Sequence, residues 1–454
     1  KIQIKAVFFV IWEFMISRTS RNKKICWGGC RNAAAFFMKK EEHQMAKSCR
    51  IKSLHKTLRR LLMLYHDCIE KLLQLKDVIV TNIEKHENEM HIHLKMAQRL
   101  HYCPACGKIT SKVHDYRSQI VKDVSICGFH TILHLKKRRH VCPSCGKRFD
   151  EHIDFLPRYH HFTNRVNLQV YEQLKECRSI KSIAKDNNMS APTAAKIINQ
   201  IDFKTGKLPQ VLAIDEFKGN AEGEKFQCIL ADPKNHKVID ILPNRRHEMI
   251  RHHIMRFSNR KEVKLVVMDM TGGYRKLMKE LFPHAKIIVD KYHYVRQIGF
   301  ALERIRIEEQ KRLSQHWRRY FKRSKYLLLK DSSRLTMEDR IQLDNLFRIS
   351  EPLKRAYALK EQFEHVKSSH NRQEAAERLS RWIMDAQNSR LPEFFKVSLT
   401  YQNWSKEILN SFEYPYTNGY IEGCNNRIKV LKRVSFGMPR FERFRRRIMH
   451  IMLD

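Results

Sequence analysis

Four cysteines and three acids carry the chemistry this sequence could perform. Cys103 and Cys106 lie in YCPACGK, Cys142 and Cys145 in HVCPSCGKRF, and 35 residues separate the two CxxC pairs. A CxxC turn aims two thiolates at one point, and two such turns give the closed tetrahedral set of a structural Zn2+ site. Pro104, Gly107, Pro143 and Gly146 supply the turn chemistry. Because both pairs carry the same knuckle, metal binding is favoured over a redox role. The acids are Asp215 at the end of VLAID, Asp269 at the end of LVVMD, and Glu422 in YTNGYIEGCNNRIKVLKR. An acid at the end of an apolar strand is held at the rim of a sheet. Two of them on neighbouring strands repel unless a cation lies between them. Mg2+, a hard ion that takes carboxylate and phosphate oxygens, suits such a site. Acids in the order strand end, strand end, helix are the arrangement used for two-metal phosphoryl transfer. Asp290 and His293 in VDKYHY are auxiliary candidates, while Glu216 and Asp240 are weaker candidates for metal ligation. Each acid also has a plainer reading, as a turn residue closing a strand or, for Glu422, as a solvated i,i+4 partner on a helix.

The elements that must position these groups follow from hydrophobic period. From 208 onward, VLAIDEF, FQCILAD, KVIDIL, KLVVMD and AKIIVD are apolar, β-branched runs closed by polar residues, with helical patterns EMIRHHIMRF and YRKLMKELF between them. Three strands in a meander, then helix, strand, helix and strand, make a mixed-sheet α/β domain. Residues from about 294 to 412 are helical and charged throughout. On a helix over 418–433, Glu422, Asn425, Asn426, Lys429 and Arg433 share one face, and Ile421, Cys424, Ile428 and Leu431 share another. The apolar face is expected on the sheet, with Glu422 ligating metal and Asn425, Asn426, Lys429 and Arg433 contacting DNA.

Upstream, LLMLYHDCIEKLLQL reads as a helix, and DVIVTNI and EMHIHLKM read as strands. The segment between the CxxC pairs alternates as a β-hairpin would, with Lys136, Lys137, Arg138 and Arg139 on that ribbon as candidate DNA contacts. Residues 163–205 are helical. In SIKSIAKDNNMSAPTAAKIINQID, a short helix, a turn over 186–189, Ser190 as N-cap and a helix over 191–200 form a helix-turn-helix. Ile180, Ile183, Ala184, Met189, Ala195 and Ile198 form its packed face, and Lys196 is its candidate DNA contact. A helical linker is the plainer alternative.

The 454 residues carry 88 Lys and Arg against 48 Asp and Glu, a net charge of +40. Such an excess points to a polyanion partner, and nucleic acid is favoured over a membrane surface. The run AVFFVIWEFMI is about half the length of a membrane span and holds Glu13. No cleavage signature follows it, and the remaining cysteines have no disulfide-like spacing, so a cytoplasmic protein with reduced thiols is expected. Residues 1–62 match no domain pattern. They are expected to be translated from upstream of the true start, with Met45 and Met63 as candidate starts.

CPACG, CPSCGKRF, VLAIDEFKG, VVMDMTGGYRKLMKELFPHAKIIVDKYHYVRQ and YTNGYIEGCNNRIKVLKRVSFGMPRFERFRRRI together make the chain from about 63 to 454 resemble the DDE transposases of bacterial insertion sequences, in particular the ISL-three group. The resemblance implies a multidomain α/β protein: an RNase H-like mixed sheet with a long all-helical insertion, preceded by a zinc ribbon and a helix-turn-helix. Implied domains are 63–150 with the ribbon, 151–206 with the helix-turn-helix, 207–300 and 413–454 as the two parts of the catalytic core, and 301–412 as the insertion. It further implies a catalytic triad of Asp215, Asp269 and Glu422 holding Mg2+ or Mn2+, structural Zn2+, and cutting and joining of double-stranded DNA at terminal inverted repeats. The basic tail and insertion would hold flanking or target DNA. A homodimer or higher oligomer on DNA and a nucleoid-associated bacterial location follow as expectations. The rivals are a non-catalytic zinc-ribbon DNA-binding regulator and an RNase H-like nuclease such as a junction resolvase.

Overall fold

The computed structural model describes residues 73–203 and 206–453. The expected extension over 1–62 and nearly all of the helix read in LLMLYHDCIEKLLQL lie outside these residues. The chain divides into two compact units, one running to Glu172 with Ile183–Ala194 added, the other made of Gln173–Ser182 and Ala195–Asp454.

The first unit is built on strands β1 (Val78–Lys85), β2 (Glu89–Met96), β3 (His101–Tyr102), β4 (Ile109–Thr110), β5 (Val113–Ile126), β6 (Phe129–Val141) and β7 (Arg148–Asp150). The main sheet runs β1-β2-β6-β5, with β7 on β6; β2 and β6 are parallel and the other pairs antiparallel. Alternation puts Met90, Ile92, Leu94 and Met96 of β2 into one core with Val121, Leu133 and Leu135. The expected hairpin between the cysteine pairs is β5–β6. Its two-residue turn, Cys127–Gly128, has positive φ at both positions (51° and 85°), the twist that suits a tight hairpin.

Helices α1 (Asn164–Gln173), α2 (Ile180–Asp186) and α3 (Ala191–Gln200) follow. Ser190 caps α3 as expected, its Oγ accepting from the Thr193 amide at 3.3 Å. Asn188 takes a positive φ in the turn, and the Met189 amide closes back on the Ala184 carbonyl at 2.9 Å.

The second unit holds β8 (Val211–Phe217), β9 (Gln227–Asp232), β10 (Lys237–Leu242), α4 (His247–Met255), β11 (Leu265–Met268), α5 (Gly272–Leu281) and β12 (Lys286–Val289). Strand order is β10-β9-β8-β11-β12, with β8, β9 and β10 antiparallel and β11 and β12 parallel to β8. That is the RNase H-like sheet. Its strands are continuous apolar runs because both faces are covered. One face (Leu212, Ile214, Val266, Met268) packs against α4, α5 and the insertion helices. These are α6 (Lys291–Lys311), α7 (Gln315–Arg323), α8 (Lys325–Leu329), α9 (Met337–Ile349), α10 (Glu351–Lys367), α11 (Arg372–Asn388) and α12 (Pro392–Glu413). Trp382, Phe363, Tyr401 and Phe394 form an aromatic centre among them. The other face carries α13 (Gly419–Val434) and α14 (Phe441–Ile451).

The C-terminal basic helix departs from expectation. Phe441, Phe444, Ile448 and Ile451 bury one side of α14 on the sheet. Arg447 is buried and donates to the carbonyls of Glu176 and Arg178, and Arg445 reaches buried Asp240 at 2.6 Å. These cations hold the fold together rather than facing a polyanion, and Asp240 is thereby a structural acid.

Candidate active site

Strand parity decides where the acids point. Val211 and Ala213 of β8 and Leu265 and Val267 of β11 face the side covered by Ile421, Cys424, Ile428 and Leu431 of α13. Alternation turns Asp215 and Asp269 to that side. The parallel register sets Leu265 against Val211 and Val267 against Ala213, so two residues further on Asp269 falls beside Asp215. On β12, Ile288 shares the face, and Asp290, two residues later, follows it.

Helix α13 meets both aspartates through amides. Asn425 Nδ2 donates to Asp215 Oδ2 at 2.8 Å, and Asn418 Nδ2 donates to Asp269 Oδ1 at 3.3 Å. Glu422 lies between the two asparagines in the i, i+4, i+7 row 418–422–425, so the helix face that touches the aspartates is the face that carries it. The Glu216 amide also donates to Asp215 Oδ1 at 2.7 Å, and His293 Nε2 lies 3.0 Å from Asp269 Oδ1. Asp290 is buried at the N-cap of α6. Asp215, Asp269, Asp290, His293 and the first turn of α13 therefore form one cluster.

Electrostatics in the cluster are unfavourable to bare anions. Burial, reinforced by the charge of Asp269, pushes Asp215 up from 3.8 to about 7. Burial and the charge of Asp290 push Asp269 up to about 7, with Glu216 and Glu422 adding to the rise and the Asn418 bond opposing it. Burial raises Asp290 too, against the pull of His293. Glu422 is exposed, and the three carboxylates are not drawn into a closed set. Among the described residues, the groups whose ligand atoms all lie within 4.8 Å of one another are the four cysteines and His101, His140 and Glu151. Carboxylates repel at close range, and each aspartate is instead bonded by an asparagine amide of α13.

The donor set suits a hard divalent cation. Two half-buried carboxyls, a third on the facing helix, and the buried, unpartnered oxygens Asn418 Oδ1 and Asn425 Oδ1 are all oxygen donors. A cation here would satisfy those oxygens and reverse the like-charge repulsion.

Other expected site residues divide. Cys103 and Cys145 Sγ lie 3.5 Å apart, as do those of Cys106 and Cys142, and the four converge on one point. The two knuckles are superimposable in bonding: the Gly107 amide donates to Cys103 and the Gly146 amide to Cys142, each at 2.9 Å. The thiols have the number and convergence that Zn2+ requires. Lys196, Asn426, Lys429 and Arg433 are exposed, and Lys429 Nζ lies 3.3 Å from Asn426 Oδ1. Asn425, expected to contact DNA, is buried and bonded to Asp215. Arg138 is also corrected. It is buried, bonds Glu151 through Nε at 3.0 Å, and donates to the Met96 and Ala97 carbonyls at 2.8 and 2.6 Å. Of its neighbours, Lys136 is exposed over the Tyr116 ring, burial lowers the pKa of half-buried Lys137, and Arg139 lies 3.9 Å from Asp115. Sequence reasoning missed Asn418, whose signal was its spacing of four from Glu422. It also left Glu216 a ligand candidate, whereas Arg245 binds it at 2.6 Å.

Comparison with known proteins places these parts. A transposase model, the ISL3 DDE domain, matches residues 212–448, over half of the chain. This chain belongs to transposase family ISL3. The ISL3 transposase also matches the zinc-finger model of the IS204/IS1001/IS1096/IS1165 transposases over 99–146 and the family's helix-turn-helix domain over 151–201. It is 26% identical over 358 residues, 77% of its length and 88% of the relative's, to the transposase for insertion sequence element IS1001 of Bordetella parapertussis. It is 32% identical over 119 residues, 26% of its length and 27% of the relative's, to the transposase for element IS1557 of Mycobacterium tuberculosis. A Lactococcus lactis protein named ATP-dependent protease is 34% identical over 121 residues, 26% of this chain and 36% of that one. The protein is thus an insertion-sequence transposase with a DNA-binding helix-turn-helix and a zinc ribbon, and a regulator or a resolvase is not the better description. No helix among the described residues is long and apolar enough to cross a membrane.

Proposed function

We propose that the transposase cuts and joins DNA at the terminal inverted repeats of its element by a DDE mechanism, with Asp215, Asp269 and Glu422 as the residues that hold Mg2+ or Mn2+. One observation carries this reading: α13 contacts Asp215, near the end of β8, and Asp269, just past β11, through Asn425 and Asn418, with Glu422 between the two asparagines. Divalent cations bound there would supply the positive charge that activates an attacking oxygen and stabilises a leaving oxygen.

The chain's own residues do the rest. Burial and neighbouring acids hold the carboxyls of Asp215 and Asp269 up at about 7, and a bound divalent cation would favour their ionised forms. Asn425 and Asn418 fix the orientation of the two carboxyls. His293, 3.0 Å from Asp269, is placed to hold or pass a proton at Nε2. Lys429 and Arg433, exposed further along α13, supply cationic contacts for the phosphate backbone. Water attacks the phosphodiester at the transposon end and releases a 3′-OH. That hydroxyl then attacks target DNA, so one phosphodiester replaces another and no covalent bond to the protein forms. Lys196 on α3 and Lys136 on β6 are exposed cations through which the DNA-binding segments would hold the repeats. Two ends must be brought together, which favours a dimer or higher oligomer on DNA.

The test is a labelled repeat end in Mg2+, followed by strand transfer into a plasmid. Asp269→Asn and Glu422→Gln are expected to abolish cleavage while binding the end as the wild type does. Cleavage at the wild-type rate in either variant excludes the triad.

A further inference from the structure

The zinc ribbon has a histidine two residues before the first cysteine of each knuckle: His101–Tyr102–Cys103 and His140–Val141–Cys142. In an extended strand, residues two apart share a face. His101 and Cys103 are accordingly both buried, as are His140 and Cys142. The knuckles thus bring the two imidazoles together, with ring centroids 4.3 Å apart. Glu151, just past β7, completes the group, and ligand atoms of all three residues lie within 4.8 Å of one another. All three are at least nine-tenths buried, at 7%, 1% and 5% exposure.

Their bonding is incomplete. His101 Nε2 is buried with no hydrogen-bond partner, and neither buried ring nitrogen of His140 makes a well-aligned hydrogen bond, its one polar neighbour being the Lys112 backbone. Buried polar atoms are nearly always paired, and an unmade bond costs about 1–3 kcal/mol. Glu151 is oriented from behind: the Arg138 amide donates to Oε1 at 2.7 Å and Arg138 Nε to Oε2 at 3.0 Å. Each of these bonds uses one lone pair and leaves others for a cation, and a ligating carboxylate is ordinarily held this way by an outer partner.

We propose that His101, His140 and Glu151 bind a second metal ion, of the Zn2+ class, beside the four-cysteine site. Two imidazoles and a carboxylate are a set that Zn2+ accepts, with a fourth position open to water. The ion joins β3, the end of β6 and the segment after β7, and satisfies the orphaned nitrogens. Its role is structural, and it is independent of the acidic cluster.

The test uses the full chain, purified without added metal and passed over chelating resin. Elemental analysis is expected to find about two zinc ions per chain, and about one overturns the proposal. Zinc X-ray absorption on the same unaltered protein is expected to show sulfur at about 2.3 Å together with nitrogen or oxygen at about 2.0 Å and imidazole scattering. Sulfur alone overturns it. In His140→Gln the count is expected to fall by about one ion, while the cobalt-substituted protein keeps its thiolate charge-transfer band. An unchanged count would locate the second ion elsewhere, such as the half-buried His91, His93 and His134 patch, and overturn the assignment. The first two readings stand whether or not the variant folds.

Discussion

Replacing Asp269 by Asn should stabilise the metal-free transposase at alkaline pH. Burial and neighbouring acids move this carboxyl from 3.8 to about 7. At 1.36 kcal/mol per pH unit, its anion is about 4 kcal/mol less favourable in the folded state than in the unfolded chain. The side chain is 26% exposed and titrates jointly with Asp215, so solvent screening and coupling leave roughly half, about 2 kcal/mol. The sign follows from the raised folded value. Below pH 3.8 the carboxyl is protonated in both states and costs nothing. Between 3.8 and about 7 the unfolded chain ionises while the folded one keeps its proton, so stability falls as pH rises. Above about 7 the loss is complete and constant. Asn removes it while retaining an oxygen for the bonds from Asn418 and His293. Thermal unfolding in EDTA should therefore give Asp269→Asn a Tm roughly 4–8 °C above wild type at pH 8, and little difference at pH 4. A variant less stable than wild type at pH 8, or an equal difference at both pH values, would refute this electrostatic account of the site.

Other outcomes follow from the same structure. Mn2+ affinity, measured by electron paramagnetic resonance, should strengthen as pH rises from about 6 to 8, because the ion competes with protons at Asp215 and Asp269; a flat profile contradicts it. Arg138→Ala removes the guanidinium that bonds the buried Glu151 carboxylate and two backbone carbonyls, and should cost about 3 kcal/mol in chemical denaturation. Lys196→Ala should weaken binding to a repeat end and flatten the slope of log K against log salt by about 0.9, and an unchanged slope contradicts a phosphate contact there.

Much of this arrangement was legible in the sequence because it rests on short-range patterns. The apolar runs ending in Asp215, Asp269 and Asp290 became β8, β11 and β12, and the knuckles and the Ser190-capped helix appeared where spacing put them. The parity that turns three aspartates to one sheet face was readable once strand order was known. What stayed hidden depends on partners far along the chain. Arg138 sits in a basic run, but Glu151 and the Met96 and Ala97 carbonyls bury it. Asn425 was grouped with solvent-facing residues because helical phase alone cannot show that Asp215, 210 residues away, reaches it. The C-terminal helix has the charge of a DNA-binding tail, yet its phenylalanines and isoleucines carry it onto the sheet, where Asp240 and backbone carbonyls take up Arg445, Arg446 and Arg447.

The central claim is that Asp269 holds a catalytic cation together with Asp215 and Glu422. The most direct measurement is a change of metal preference. In Asp269→Cys a thiolate replaces a hard oxygen donor, which discriminates against Mg2+ in favour of softer ions. Cleavage of a labelled repeat end by this variant should be lost in Mg2+ and partly restored in Mn2+, with wild type active in both. Equal activity of the variant in the two metals, at the wild-type rate, would contradict the account.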